Sequence, residues 1–314
     1  MDPLNKVGAR LFLSTKSSIE PVEINPTTLI NTRVLETSDF GKEKKSIVIV
    51  HGWRSSSDEK WIKTMIRRLH ATRDVNILLV DWTNIASNLN YTTVMKNLPA
   101  VAHEIYQLIR ALRFKQWNHI TKTSILWNNL YFIGHGLGAQ LSGRVAYLLQ
   151  QNTFWKVNRI TGLDPAQLCF PHNFTDYTLD KSDADFVDVI HSNIDYDNFL
   201  PLGHIDFFVD GRTLRPKCEK LEYIEAMTCR QKLSYKLYLK SLPTSKGSNC
   251  KLYGQHWNGT HDSALKMLNS VKNNQTCVDC PQMGIDAVNS AKRGTFLVLT
   301  SGLNDTCAND DDPL

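Results

Sequence analysis

The stretch Gly134-His135-Gly136-Leu137-Gly138-Ala139 points most directly to chemistry. It follows the apolar run Leu130-Tyr131-Phe132-Ile133 and precedes the amphipathic run Leu141 to Leu149. Strand, glycine-rich turn and helix form the setting in which a G-x-S-x-G sequence lifts a serine above a sheet to attack a carbonyl carbon. Here the pattern reads Gly134-His135-Gly136-Leu137-Gly138, so the turn is present and the serine is missing. The same residues also satisfy G-x-G-x-x-G/A, the phosphate-binding turn of dinucleotide sites, and Asp164 ends the next strand as the acidic partner would. Against nucleotide binding, that fingerprint normally opens its βαβ unit, whereas here residues 1–129 come first.

The elements that must position this turn are legible from periodicity. Ser46-Ile47-Val48-Ile49-Val50 is continuously apolar and β-branched, the mark of a buried strand, and runs into His51-Gly52-Trp53. Trp61, Ile62, Met65, Ile66 and Leu69 recur at helical spacing. Val75 to Val80 is the next strand and ends at Asp81-Trp82. Leu98, Val101, Ala102, Ile105, Leu108, Ile109 and Leu112 predict a long amphipathic helix. Strands follow at Val157 to Leu163, Phe186 to Ile190, His204 to Val209 and Thr295 to Thr300, with a helix over Tyr235 to Leu242. Residues 1–45 read as short strands with turns. Strands alternating with helices in this way imply βαβ units and a mostly parallel sheet in one α/β domain, 1–314.

The 314 residues are 42% hydrophobic, enough for a sizeable core, and no apolar run approaches the ~18 residues of a membrane span. The net charge of +5 is mild and its basic residues are scattered, which argues against a nucleic-acid partner. The start, Met1-Asp2-Pro3-Leu4-Asn5, lacks the basic and apolar segments of a signal peptide. Cysteines and sequons nevertheless point to a secreted, extracellular protein. Cys250, Cys277, Cys280 and Cys307 crowd the last quarter, where the polar stretch after Cys250 reads as a loop, and Cys218 and Cys229 bracket a short loop. N-x-S/T sequons at Asn90, Asn173, Asn258, Asn274 and Asn304 all lie in polar stretches and predict a glycoprotein. Cys277-x-x-Cys280 has no second C-x-x-C or H-x-x-x-H partner, so no metal site is expected, and no cofactor.

Several stretches in order resemble the pancreatic lipase family, including the insect venom phospholipases A1. They are Val50-His51-Gly52-Trp53, Val80-Asp81-Trp82, the glycine turn, Gly162-Leu163-Asp164-Pro165-Ala166, Phe186-Val187-Asp188-Val189-Ile190-His191 and Gly203-His204-Ile205-Asp206-Phe207. The resemblance implies an α/β-hydrolase fold, a mostly parallel central sheet with helices on both faces and a disulfide-stapled C-terminal part. It implies the one-domain form, without a C-terminal β-sandwich. In that family a serine attacks an ester, a histidine takes its proton, an aspartate orients the histidine, and backbone N–H groups hold the oxyanion. Matched by motif, the aspartate falls on Asp164 and the oxyanion donors on the backbone of Trp53 and Leu137. The serine position falls on Gly136 and the histidine position on Gln231, in Cys229-Arg230-Gln231. The family's lid matches Cys218 to Cys229, with Leu221, Tyr223, Ile224 and Met227 as its apolar residues. The family also implies a Cys218–Cys229 bridge and two more among Cys250, Cys277, Cys280 and Cys307, whose pairing spacing does not decide.

The expected protein is therefore a secreted pseudo-lipase that keeps the fold without the chemistry. Its partners would be lipids or fatty acyl ligands, a membrane or lipoprotein surface, or a protein, in a venom, yolk or seminal-type role. The alternative is an active triacylglycerol lipase or phospholipase A1 with a rewired site, for which His256 and His261 are the available bases. Ser142, on the helix after the turn, lies too deep to replace the serine.

Overall fold

The computed structural model describes residues 7–25, 38–41, 43–115, 129–168, 170, 177–192, 200–210, 223–244, 250–272 and 279–300. The chain divides into two compact units, Met1–Asp185 and Phe186–Leu314.

In the first unit the strands are β1 (Arg10–Ser14), β2 (Val22–Ile24), β3 (Lys45–Val50), β4 (Val75–Asp81), β5 (Leu130–His135) and β6 (Val157–Leu163). Its helices are α1 (Lys60–Thr72), α2 (Thr83–Ala86), α3 (Tyr91–Lys115) and α4 (Leu137–Thr153). The strand order is β2-β1-β4-β3-β5-β6. β3, β4, β5 and β6 pair in parallel, while β1 runs antiparallel to both β2 and β4. Apolar runs dictate this sheet, because a parallel strand covered on both faces has no solvent-facing positions. Every residue of β4 and β5 is buried. The predicted stripe on α3, Leu98 to Leu112, is buried throughout, as are Trp61, Ile62, Met65, Ile66 and Leu69 on α1. α3 is longer than its stripe suggested and carries Pro99.

The second unit holds β7 (Ala184–His191), which begins two residues before the boundary, then β8 (Ile205–Val209), β9 (Gln255–His256) and β10 (Gly294–Val298), in the order β7-β8-β10-β9. β8 pairs in parallel with β7 and β10, and β9 pairs antiparallel with β10. Its helices are α5 (Tyr223–Ser241) and α6 (His261–Lys272). Inside it Phe208, Trp257, Ala264 and Leu297 pack into one buried cluster.

Two expectations are corrected here. The stretch matched to a lid loop is already helical from Tyr223, so Tyr223, Ile224, Met227, Cys229 and Gln231 all lie on α5. Residues 223–241 contain no glycine or proline and many lysines and leucines, so helix propensity prevails over the expected loop. The polar stretch after Cys250 likewise contains α6, with Asp262 in its first turn where the helix dipole favours an acid. Cys218 and Leu221 lie outside the described residues, as do Cys277 and Cys307. Cys229, Cys250 and Cys280 are disulfide-bonded.

Candidate functional site

Register brings three of the sequence motifs to one edge of the first unit. Val50 pairs with Gly134 and Gly134 with Gly162, so β3, β5 and β6 end side by side. His51-Gly52-Trp53, Gly136 and Asp164 therefore emerge together at the carboxyl ends of parallel strands, where open α/β sheets place their ligands.

Glycines set how closely these segments approach. A Cβ on Gly138 would come within 2.3 Å of Val50 O and 2.4 Å of His51 O. One on Gly134 would lie 2.4 Å from Gly138 O, and one on Gly52 would lie 2.9 Å from His135 O. All three are backbone collisions that no rotamer relieves. The two outer glycines of G-x-S-x-G are thus required by packing in this chain, whether or not a serine stands between them.

Gly136 itself has φ 56 and ψ −119. L-residues enter that region at a cost of about 1–3 kcal/mol, and glycine enters without a Cβ clash. The turn keeps its sharp geometry, so the strain is relieved by residue type and not by a change of path. Its backbone is laced to the loop that carries the acid. Gly136 N donates to Leu163 O at 3.0 Å, and Gly136 O accepts from Ala166 N at 3.2 Å. Gln140, buried on α4, donates through Nε2 to Ala166 O at 2.6 Å and accepts Leu179 N at 2.7 Å. Asp164 sits between these ties, buried, with φ 49.

The two N–H groups matched to the oxyanion donors, those of Trp53 and Leu137, make no hydrogen bond among the described residues. Leu137 opens α4, so the helix dipole reinforces its N–H. The side chain of Trp53 is fixed from one side: Nε1 donates to Asn88 O at 2.7 Å, and the ring meets Tyr91 edge-on at 5.0 Å. Tyr91 Oη in turn donates to Leu168 O at 3.0 Å. Leu89 and Leu168 are 74% and 52% exposed, so aromatic and aliphatic groups form one lip beside Trp53. Sequence reasoning missed Tyr91, Leu89, Leu168 and Gln140. A Trp-Tyr-Leu grouping spread over residues 53–168 has no linear pattern.

Behind the lip, His51 is fully buried and structural. Its Nε2 accepts from Trp82 N at 3.2 Å, and its ring stacks on Trp82. Asp81 accepts from Thr83 N at 2.9 Å and from Arg10 at 2.5 Å, with His51 Nε2 at 3.5 Å. Burial pushes the Asp81 carboxyl up, but the neighbouring His51 ring and the hydrogen bonds from Thr83 and Arg10 outweigh it and hold the group well below the usual carboxylate range. Ser142 is buried and donates back to Gly138 O at 2.7 Å, so its hydroxyl is committed within the helix.

The chain belongs to the Lipase family. That family's model matches residues 2–301. The chain is 31% identical to human "Inactive pancreatic lipase-related protein 1" over 262 residues, 77% of this chain and 53% of that protein. It is 32% identical to rabbit "Lipase member H" over 265 residues, 79% of this chain and 56% of that one. Mouse "Pancreatic triacylglycerol lipase" is 28% identical over 271 residues, 79% of this chain and 55% of its own. The chain thus spans about half the length of these relatives. Among solved structures it is similar to Est1E from Butyrivibrio proteoclasticus with bound ferulic acid, at 12% identity and a TM-score of 0.33 over 58% of this chain and 74% of that one. A likeness that partial carries no argument about function.

In the second unit, the residue at the family's histidine position is Gln231, on α5, whose backbone O accepts from Ser234 Oγ at 2.8 Å. His191 Nε2 and Asp206 Oδ1 form a buried pair at 2.8 Å, and Asp206 also accepts Leu202 N and Gly203 N. His204 Nδ1 accepts Val187 N at 3.0 Å. These two histidines of the Lipase motifs hold strands and turns. His256 is exposed on β9 and His261 is exposed at the start of α6. The sequons of Asn90 and Asn258 are exposed, while Asn173, Asn274 and Asn304 lie outside the described residues. Among the described residues no group of His, Cys, Asp and Glu could hold a metal ion.

Proposed function

We propose that this chain is a catalytically silent Lipase-family protein that binds acyl chains at the former catalytic edge. The observation that carries the reading is the turn at Gly136. It has nucleophile-elbow angles, packing glycines and open N–H donors around it, and no side chain to attack with. In this reading Asp164 is the retained acid, Gly136 the vacated nucleophile position and Gln231 the vacated base position. A neutral amide has no titratable nitrogen and takes no proton from a nucleophile. Loss of one triad member in other serine hydrolases costs on the order of 10⁴–10⁶ in turnover, and a second loss adds little. A relative sharing 31% identity is itself named as inactive, which supports the reading.

Uncharged donors at Trp53 and Leu137 suit a carboxylate or ester carbonyl, and the lip of Trp53, Tyr91, Leu89 and Leu168 suits the alkyl chain behind it. The bound cysteines Cys229, Cys250 and Cys280 and the exposed sequons support secretion as a glycoprotein. We assign a Cys218–Cys229 bridge on the family's pattern, with the other pairs drawn from Cys250, Cys277, Cys280 and Cys307.

The test is the double reversion Gly136→Ser with Gln231→His, assayed on short-chain esters and with a serine-directed phosphonate probe. Esterase activity and labelling should appear in the double variant and in neither single one. Ester hydrolysis with serine labelling by the unmodified chain would overturn the reading in favour of a rewired site. In that case His256→Ala and His261→Ala identify the base.

A further inference from the structure

The lip beside Trp53 carries a feature that acyl binding does not use. Residues 88–91 are held as a tight turn: Asn90 N donates to Asn88 Oδ1 at 2.8 Å, and Asn88 O takes the Trp53 indole. Asn90 is exposed and its side-chain oxygen caps α3, accepting Thr93 N at 3.1 Å. That contact fixes which end of the amide is which. Oδ1 faces the helix, and Nδ2 makes no hydrogen bond among the described residues. Asn90-Tyr91-Thr92 is an N-x-T acceptor, and Thr92 is also exposed. On one side of Asn90 stands Leu89, 74% exposed, and on the other Tyr91, packed on Trp53. A projecting leucine flanked by Trp and Tyr is the composition of a surface that would dip into a lipid interface.

We propose that Asn90 carries an N-linked glycan that covers Leu89 and this lip, keeping the site off lipid surfaces and restricting it to single dispersed amphiphiles. This rests on the reading of the lip as an acyl-binding site. In the attachment, Nδ2 loses one proton and bonds to C1 of an oligosaccharide carried on a lipid diphosphate. The C1–O bond to the diphosphate breaks and the diphosphate leaves with the electron pair. Oδ1 is untouched, so the cap on α3 survives modification. The first sugars, bulky and hydrated, would lie within a residue's length of Leu89 on a turn too tight to swing aside.

The full chain should be secreted from a eukaryotic cell as wild type and as Thr92→Val, which removes the acceptor pattern and leaves the Asn90 cap. Mass analysis of the Asn90 peptide before and after glycosidase treatment should show the glycan on wild type alone. Phosphatidylcholine vesicle co-sedimentation should rise roughly tenfold in Thr92→Val, the gain from burying one leucine side chain in lipid. Binding of a dispersed fluorescent fatty acid should be unchanged. Wild type stripped of glycan should match the variant, which covers the case of a Thr92→Val chain that folds poorly. An unmodified Asn90, or vesicle binding equal with and without the glycan, overturns the proposal. Absence of fatty-acid binding in every form sinks the acyl-site reading instead; vesicle binding that still rises without the glycan then leaves the screening role standing.

Discussion

Restoring the missing serine alone should destabilise the protein, and by an amount the backbone dictates. Gly136 lies at φ 56, ψ −119, where an L-residue costs about 1–3 kcal/mol. Neighbouring ties hold the residue there: its N–H donates to Leu163 O and its carbonyl accepts Ala166 N. Gly134 and Gly138 cannot relax the turn, because their backbones already touch atoms that a Cβ would overlap. Gly136→Ser should therefore lose about 1–3 kcal/mol, and Gly136→Ala a similar amount. In domains of 150–250 residues each kcal/mol lowers Tm by roughly 2–4 °C. Urea titration of wild type and both variants, followed by tryptophan fluorescence, would show a lower midpoint with an unchanged slope. If Gly136→Ala unfolds at or above the wild-type midpoint, the strained turn is not a feature of the folded protein. Equal losses for serine and alanine assign the cost to backbone; a loss confined to alanine would mean that the hydroxyl finds a compensating partner.

Other outcomes follow from the same geometry. Gly138→Ala drives a methyl to 2.3 Å from Val50 O and should cost more than Gly136→Ala, up to or beyond about 3 kcal/mol, read as a further drop in midpoint or loss of soluble protein. Gln140→Leu leaves Leu179 N and Ala166 O without their side-chain partner, at about 1–3 kcal/mol for each buried group stranded, and should raise amide exchange at Leu179. Asp81 has its folded pKa held below the unfolded value near 4, so its contribution is fully present above that pH and is lost as pH falls toward the folded value. Asp81→Asn should accordingly be less stable than wild type at neutral pH, with the gap narrowing below about pH 4 in pH-resolved unfolding. A constant gap across pH 3–7 would refute the linkage.

Much of the scaffold was legible because buried parallel strands and amphipathic helices write their environment into local pattern. β3, β4, β5 and β6 and the stripe of α3 lie where apolar continuity and helical spacing place them. α5 and α6 were less legible. The α5 stretch mixes charged and apolar residues without a clear stripe, and cysteines near both stretches suggested loops. The glycine turn was legible as a motif, since its spacing encodes a steric requirement that survives loss of the serine. The lip of Trp53, Leu89, Tyr91 and Leu168 was not, because edge-on ring packing and a tyrosine-to-carbonyl bond join residues far apart in the chain.

What the sequence determined by itself was the inventory: a strand-turn-helix with glycine where the pattern asks for serine, and an aspartate closing the next strand; the family resemblance adds Gln231 as the residue matched to its histidine. Residue identity alone decides that no nucleophile stands at position 136. Tertiary structure decided what that absence costs and what remains. Strand register gathers His51-Gly52-Trp53, Gly136 and Asp164 at one edge, backbone hydrogen bonds lace the turn to the acid's loop, and φ and ψ at Gly136 keep the elbow's sharp path. Those are properties of non-local hydrogen bonding and close packing, which act between segments that no window of sequence brings together.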